Sequence, residues 1–134
     1  MTTRDLQQGE IVAFTYKSGA YIGSIYELRP NRAVVEVLAV LEHPKQGDLH
    51  QRNQADVAMF HQRKALSHRE KALVPYPFVK RHEGAVPDYT ESLRMAVDLE
   101  IGRLQQMEPD TDVYAQRAIE LLLDLKTDYL GSPS

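Results

Sequence analysis

Arg32-Ala33-Val34-Val35-Glu36-Val37-Leu38-Ala39-Val40-Leu41-Glu42 is the stretch on which the fold turns. Its odd positions, Ala33, Val35, Val37, Ala39 and Leu41, are all apolar, whereas its even positions, Val34, Glu36, Leu38, Val40 and Glu42, are mixed. Side chains alternate across a strand, so this reads as one long strand whose odd face is assigned to the core. Two shorter strands precede it. In Ile11 to Tyr16 the even residues Val12, Phe14 and Tyr16 alternate with smaller ones, and Lys17-Ser18-Gly19 suits a short hairpin loop whose glycine takes positive φ. Ala20 to Arg29 alternates less cleanly, and its interior Gly23 predicts a bulge or sharp bend. Pro30-Asn31 then fits a type I turn.

Downstream, residues 44–56 are polar and turn-like and read as a long loop. Val57 to Phe60 and Leu73 to Val79 are short-strand candidates, although Pro75 and Pro77 restrict the second to a sheet edge or an irregular piece. Between them Arg63 to Glu70 suits either a helical turn or an extended arm. Five short strands with such breaks resemble a small SH3-like antiparallel β-barrel over residues 7–80. The period then changes. Asp88 is placed as an N-cap with Glu91 three residues on, followed by the stripe Leu93, Val97, Ile101 and Leu104. A second helix starting near Asp110 or Thr111 carries Tyr114, Ala118, Leu121, Leu122, Leu125 and Tyr129 on one face. The fold expected is therefore α+β, an N-terminal SH3-like barrel with an antiparallel helical hairpin from 88 to 130.

At 134 residues the chain is long enough to bury a core without disulfides or metal staples. No run approaches the roughly 18–20 apolar residues needed to cross a bilayer. The net charge of -3 is unevenly spread. Residues 61–82 hold six Lys/Arg against one Asp/Glu, whereas residues 83–134 hold four against eleven. A basic connector and an acidic tail attract different partners or each other.

Four of the five histidines, His43, His50, His61 and His68, fall within residues 43–70. Imidazole and carboxylate are ordinary zinc or manganese ligands, and Asp48 and Asp56 lie nearby. No histidine pair has i, i+4 spacing, however, and no cysteine or HExxH pattern constrains a site. Hydrogen bonding to loop backbone is the favoured reading, with no metal and no cofactor. Ser18, Ser24 and Ser67 sit in no nucleophile elbow, and GxSxG, P-loop and GxGxxG patterns are absent. The chain is therefore read as a non-enzyme. The connector's Arg63, Lys64, Arg69, Lys71, Lys80 and Arg81, interleaved with Tyr76 and Phe78, form a nucleic-acid patch on paper, but internal pairing with the acidic helices competes.

The hairpin Tyr16-Lys17-Ser18-Gly19-Ala20-Tyr21-Ile22-Gly23, the run His43-Pro44-x-Gln46-Gly47-Asp48-Leu49-His50, the segment Phe60-His61-x-Arg63-Lys64-Ala65-Leu66 and the opener Val86-Pro87-Asp88-Tyr89 recur here in one order. Together they resemble the kinase-associated protein B family of spore-forming bacteria, over most of residues 9–130. That resemblance implies a small regulatory adaptor acting with a membrane sensor histidine kinase, or an associated signalling protein, in the sporulation phosphorelay. Some members are described as lipoproteins. This chain departs from that description, since it has no cysteine to lipidate and Met1 to Gln8 shows no apolar signal region. The expectation is a cytoplasmic protein without direct membrane insertion, brought to a membrane by its partner. The candidate contacts are His43, Gln46, Gly47, Asp48, Leu49, His50, His61, Arg63, Lys64, His68 and Arg69. Two other readings stay open: a small barrel binding nucleic acid through residues 61–82, and a metal-dependent hydrolase using the histidines. Leu99, Leu123 and Leu130 lie outside the helices' main stripe and leave homodimerisation open.

Overall fold

The computed structural model describes residues 6–47, 62–107 and 112–131. The chain runs β1 (Ile11–Tyr16), β2 (Gly19–Leu28), β3 (Arg32–Glu42), β4 (Lys71–Pro75), a 3-10 turn (Tyr76–Phe78), β5 (Val79–Arg81), α1 (Tyr89–Gln105) and α2 (Val113–Leu130). The strands form one antiparallel sheet in the order β4-β3-β2-β1-β5. Its two edges are consecutive in sequence. Flat, edges four strand spacings apart would stand about 19 Å from each other, yet the 3-10 turn joining them rises only about 2 Å per residue. The sheet therefore curls in the SH3-like manner, and β4 and β5 are not paired with each other, so it stays open rather than closing as a barrel.

The first hairpin has a two-residue loop, and positive φ falls on Lys17 (46°) and Ser18 (67°) rather than on Gly19, which is already paired with Tyr16. Two positive φ angles in a two-residue loop match the right-handed twist of the flanking strands. The turn at Pro30-Asn31 is closed by the Arg29 N–H donating to the Arg32 carbonyl.

β3 keeps its odd face in the core for Ala33, Val35 and Val37. The register then shifts, with Gly23 opposite Val37 and Ile22 opposite Ala39, so Leu38 is an extra residue and the alternation flips. As a result Val40 joins the main core, Ala39 is buried outside that cluster, and Leu41 is 42% exposed instead of buried. The Val40 N–H at this irregularity donates to Ser92 Oγ of α1 at 2.9 Å. That bond fastens the first helix to the sheet.

Leu73 to Val79 is not one strand. Pro75 and Pro77 flank Tyr76, and the chain turns there through the 3-10 segment. The arm before β4 is extended, with a turn at Ser67–Glu70 in which Arg69 takes φ 71°, and Arg69 and Glu70 exchange backbone bonds with Val37. α1 starts as expected, Asp88 accepting from the Glu91 N–H. α2 is capped by Asp112, which accepts from the Ala115 N–H, one or two residues beyond the expected start. The strand expected at Val57–Phe60 lies outside the described residues. Leu93, Ala96 and Val97 of α1 share one apolar cluster with the strands, and Leu104 packs with Tyr114, Ala115, Ala118 and Leu122 of α2.

Candidate functional site

The segment leaving β3, His43–Gly47, is held by a polar clasp. His43 Nδ1 lies 2.9 Å from the Pro44 carbonyl oxygen and Nε2 lies 2.9 Å from the Tyr129 hydroxyl. A carbonyl can only accept, so the neutral ring carries its proton on Nδ1, and Nε2 accepts from Tyr129. The same phenolic oxygen accepts from the Ala65 N–H at 2.9 Å, so Tyr129 joins the loop, the arm and α2 through one atom. Burial disfavours the charged imidazole and holds the His43 pKa below its ordinary value, against the smaller opposing influences of the Pro44 carbonyl and Glu100.

Gln46 behaves like a strand residue turned sideways. Its Oε1 accepts from the Arg63 N–H at 2.9 Å, while Nε2 donates to the Arg63 carbonyl at 2.9 Å and the Pro44 carbonyl at 3.0 Å. The Tyr114 hydroxyl donates to the Gln46 carbonyl at 3.0 Å, and the Lys45 N–H donates to Ser18 Oγ at 3.0 Å. Next along the arm, the Leu66 N–H donates to the Tyr21 hydroxyl at 3.3 Å, and the Tyr89 hydroxyl donates to the Leu66 carbonyl. Burial pushes the Tyr21 and Tyr89 phenols up to about 12 and raises that of Tyr129 as well. All three hydroxyls stay neutral across the physiological range.

The expected contact residues divide into two groups. His43 and Gln46, each only 1% exposed, and Gly47, buried at φ 97°, are spent on holding the loop. Arg63, Lys64, His68 and Arg69 lie on the arm. Arg63 is half-buried and its Nε donates to the Gly47 carbonyl at 3.1 Å. Lys64 pairs with Asp128 at 3.2 Å, Arg69 lies 3.8 Å from Glu36, and the His68 ring stacks on Tyr89 at 5.3 Å. Asp48, Leu49, His50 and His61 lie outside the described residues. Among the described residues no group of three His, Asp or Glu converges in a way that would hold a metal ion.

The basic connector pairs internally, though chiefly with the sheet rather than the helices. Arg81 bonds Glu10 and Arg69 approaches Glu36, while Lys64 alone of these reaches α2. Sequence reasoning missed the four tyrosines that close the clasp: Tyr114 and Tyr129 read only as apolar face, Tyr89 as a helix opener and Tyr21 as part of a hairpin. The available signal was chemical. A core tyrosine brings a hydroxyl that needs a partner, and the nearest polar stretch was the loop.

This architecture has known counterparts. The family model described as "Kinase associated protein B" matches residues 16–130. The chain is 45% identical over 127 residues to Kinase-associated lipoprotein B of Bacillus subtilis (strain 168), covering 95% of this chain and 97% of the relative. It is also similar to the crystal structure of kinase-associated protein B from Bacillus cereus, with a TM-score of 0.76 and 42% identity over 92% of this chain and 97% of the other. No helix among the described residues is long and apolar enough to cross a membrane, while the B. subtilis relative carries the word lipoprotein in its name. With a match spanning nearly the whole chain in both sequence and fold, this chain belongs to the kinase-associated protein B family.

Proposed function

We propose that the protein is a non-enzymatic regulatory adaptor that binds a sensor histidine kinase, or a protein associated with one, in sporulation signalling. It biases the partner between conformations through differential affinity rather than chemistry. The observation that carries this reading is the near full-length relationship to a protein named kinase-associated. The geometry supports it. Among the described residues, the polar side-chain atoms that are buried all have hydrogen-bond partners, so the clasp holds loop, arm and α2 in one arrangement. The surface it presents is the arm carrying Arg63, Lys64, His68 and Arg69. Nucleic-acid binding is the weaker reading, because several of the connector's cations already face carboxylates.

A calorimetric titration against the cytoplasmic portion of a sporulation sensor kinase, at two salt concentrations, tests the proposal. Saturable binding near one to one is expected, and the variant Lys64→Glu, Arg69→Glu, altered only on exposed side chains, is expected to melt like the parent yet bind at least tenfold more weakly. Absence of heat at both salts, or unchanged affinity in the variant, would remove it.

A further inference from the structure

Beside the clasp, the first hairpin and the arm enclose a cleft of about 330 Å³, lined by Tyr16, Lys17, Tyr21, Arg63, Lys64 and Glu70 among others. Three cations against one lining carboxylate stand here in a chain whose net charge is -3; Lys64 also lies 3.2 Å from Asp128, but both side chains are exposed and such a surface pair is weak enough for a dianion to displace. The carboxylate is engaged, Glu70 Oε1 accepting from the Ser67 N–H at 2.8 Å. The Arg63 guanidinium is fixed through Nε to the Gly47 carbonyl, an arrangement that leaves its terminal nitrogens as donors. Lys17 sits at the hairpin tip with positive φ, and its turn is held by Ser18 Oγ accepting from the Lys45 N–H. The cations thus come from two separate elements that the clasp locks together. A fixed arginine fork flanked by lysine point charges in a polar concavity is the recognition chemistry of an anion with several oxygens.

We infer that this cleft binds the phosphoryl group of a phosphorylated side chain on a protein partner. The inference rests on the adaptor reading above and gives it a chemical basis. An adaptor so equipped distinguishes the phosphorylated from the unphosphorylated state of its partner, because only the former places a dianion between Lys17, Arg63 and Lys64.

The test follows amide and guanidinium NMR signals of the full chain at constant ionic strength. The probes are inorganic phosphate, a short peptide carrying a phosphonate analogue of phosphohistidine, its unphosphorylated counterpart and a uridine oligonucleotide. Saturable shifts at Lys17, Arg63 and Lys64 are expected with the phosphonate peptide, at least tenfold tighter than with inorganic phosphate and absent with the unmodified peptide. Lys17→Asn, which tolerates the positive φ of the turn, and Lys64→Gln are each expected to weaken the peptide severalfold without changing the melt. The inference is overturned if the peptide binds no better than free phosphate, if both variants bind it unchanged, or if the oligonucleotide binds more tightly. Kinase binding by the parent chain that is indifferent to phosphorylation would sink this inference alone, whereas no kinase binding in any state would sink the adaptor reading while the peptide result judges the cleft separately.

Discussion

A methyl group placed on Gly23 would lie 2.5 Å from the Glu36 carbonyl oxygen and 2.6 Å from Val35 Cγ1, both on the neighbouring strand. Those neighbours are backbone and a fully buried valine, so neither swings aside as a flexible side chain would. Gly23→Ala is therefore expected to cost about 1–3 kcal/mol through overpacking, read as a lower urea midpoint; a midpoint within error of the parent would show that β3 yields at its bulge. His43 carries a second prediction at this scale. Its folded-state pKa is depressed, so between that value and the ordinary one of about 6.5 the unfolded chain binds more protons than the folded one. Stability is then complete above about pH 6.5 and falls as pH drops toward the folded pKa. Protonation also places a second N–H against a Tyr129 hydroxyl that already accepts from Ala65. Carboxylates contribute in the same acidic range, so the readout is the difference between parent and His43→Gln: the stability gap is expected to narrow steadily as pH is lowered from 7 to 5. A gap independent of pH would mean that His43 titrates normally in the fold.

α2 is held by hydroxyls as much as by its apolar stripe. Tyr129→Phe keeps the ring but leaves the Ala65 N–H and His43 Nε2 without their partner, and each orphaned buried group costs about 1–3 kcal/mol. Faster hydrogen exchange at Ala65 and in the last turns of α2 is the expected signature, whereas unchanged protection would show that packing alone docks the helix. At the other end, Asp112→Ala removes the cap on Ala115 and is expected to cost about 1 kcal/mol. The same element shows what the sequence could disclose. Asp88 was legible because Asp-Tyr-Thr-Glu is an isolated capping pattern, but the second helix opens within Asp110-Thr111-Asp112, three good capping residues in a row, and pattern alone does not choose among them. The long valine strand was legible from its alternation up to Val37 and misread at Leu41, because the bulge at Leu38 leaves composition unchanged while reversing Ala39 and Val40, and a second register shift leaves Leu41 itself as an extra residue. Among the candidate contacts, the buried structural roles of His43 and Gln46 were not legible. His43 and Gln46 reach Tyr129 and Tyr114, 86 and 68 residues away, and no local period records a contact of that span.

Across the whole molecule the helices and the sheet share their apolar interior. Leu93, Ala96 and Val97 belong to the same cluster as Val12, Phe14, Val35 and Val37, and Ile101 packs against both this cluster and the one joining α1 to α2. The clasp adds a second link, since Tyr114 and Tyr129 of α2 bond the loop and arm that border the sheet. Removing the sheet would expose one side of α1, and a protein helix draws most of its stability from packing its apolar face. Helix and sheet should therefore melt together, with far-ultraviolet circular dichroism and tyrosine near-ultraviolet signals tracing one transition. Val37→Asp puts a charge where exposure is 0%, in a domain whose total stability is of order 5–15 kcal/mol. It is expected to abolish the helical signal along with the strands, although Val37 lies on neither helix. A variant that keeps a cooperative helical transition after the sheet signal is gone would mean that α1 and α2 fold as a unit of their own, and that the clasp joins two separable bodies instead of completing one.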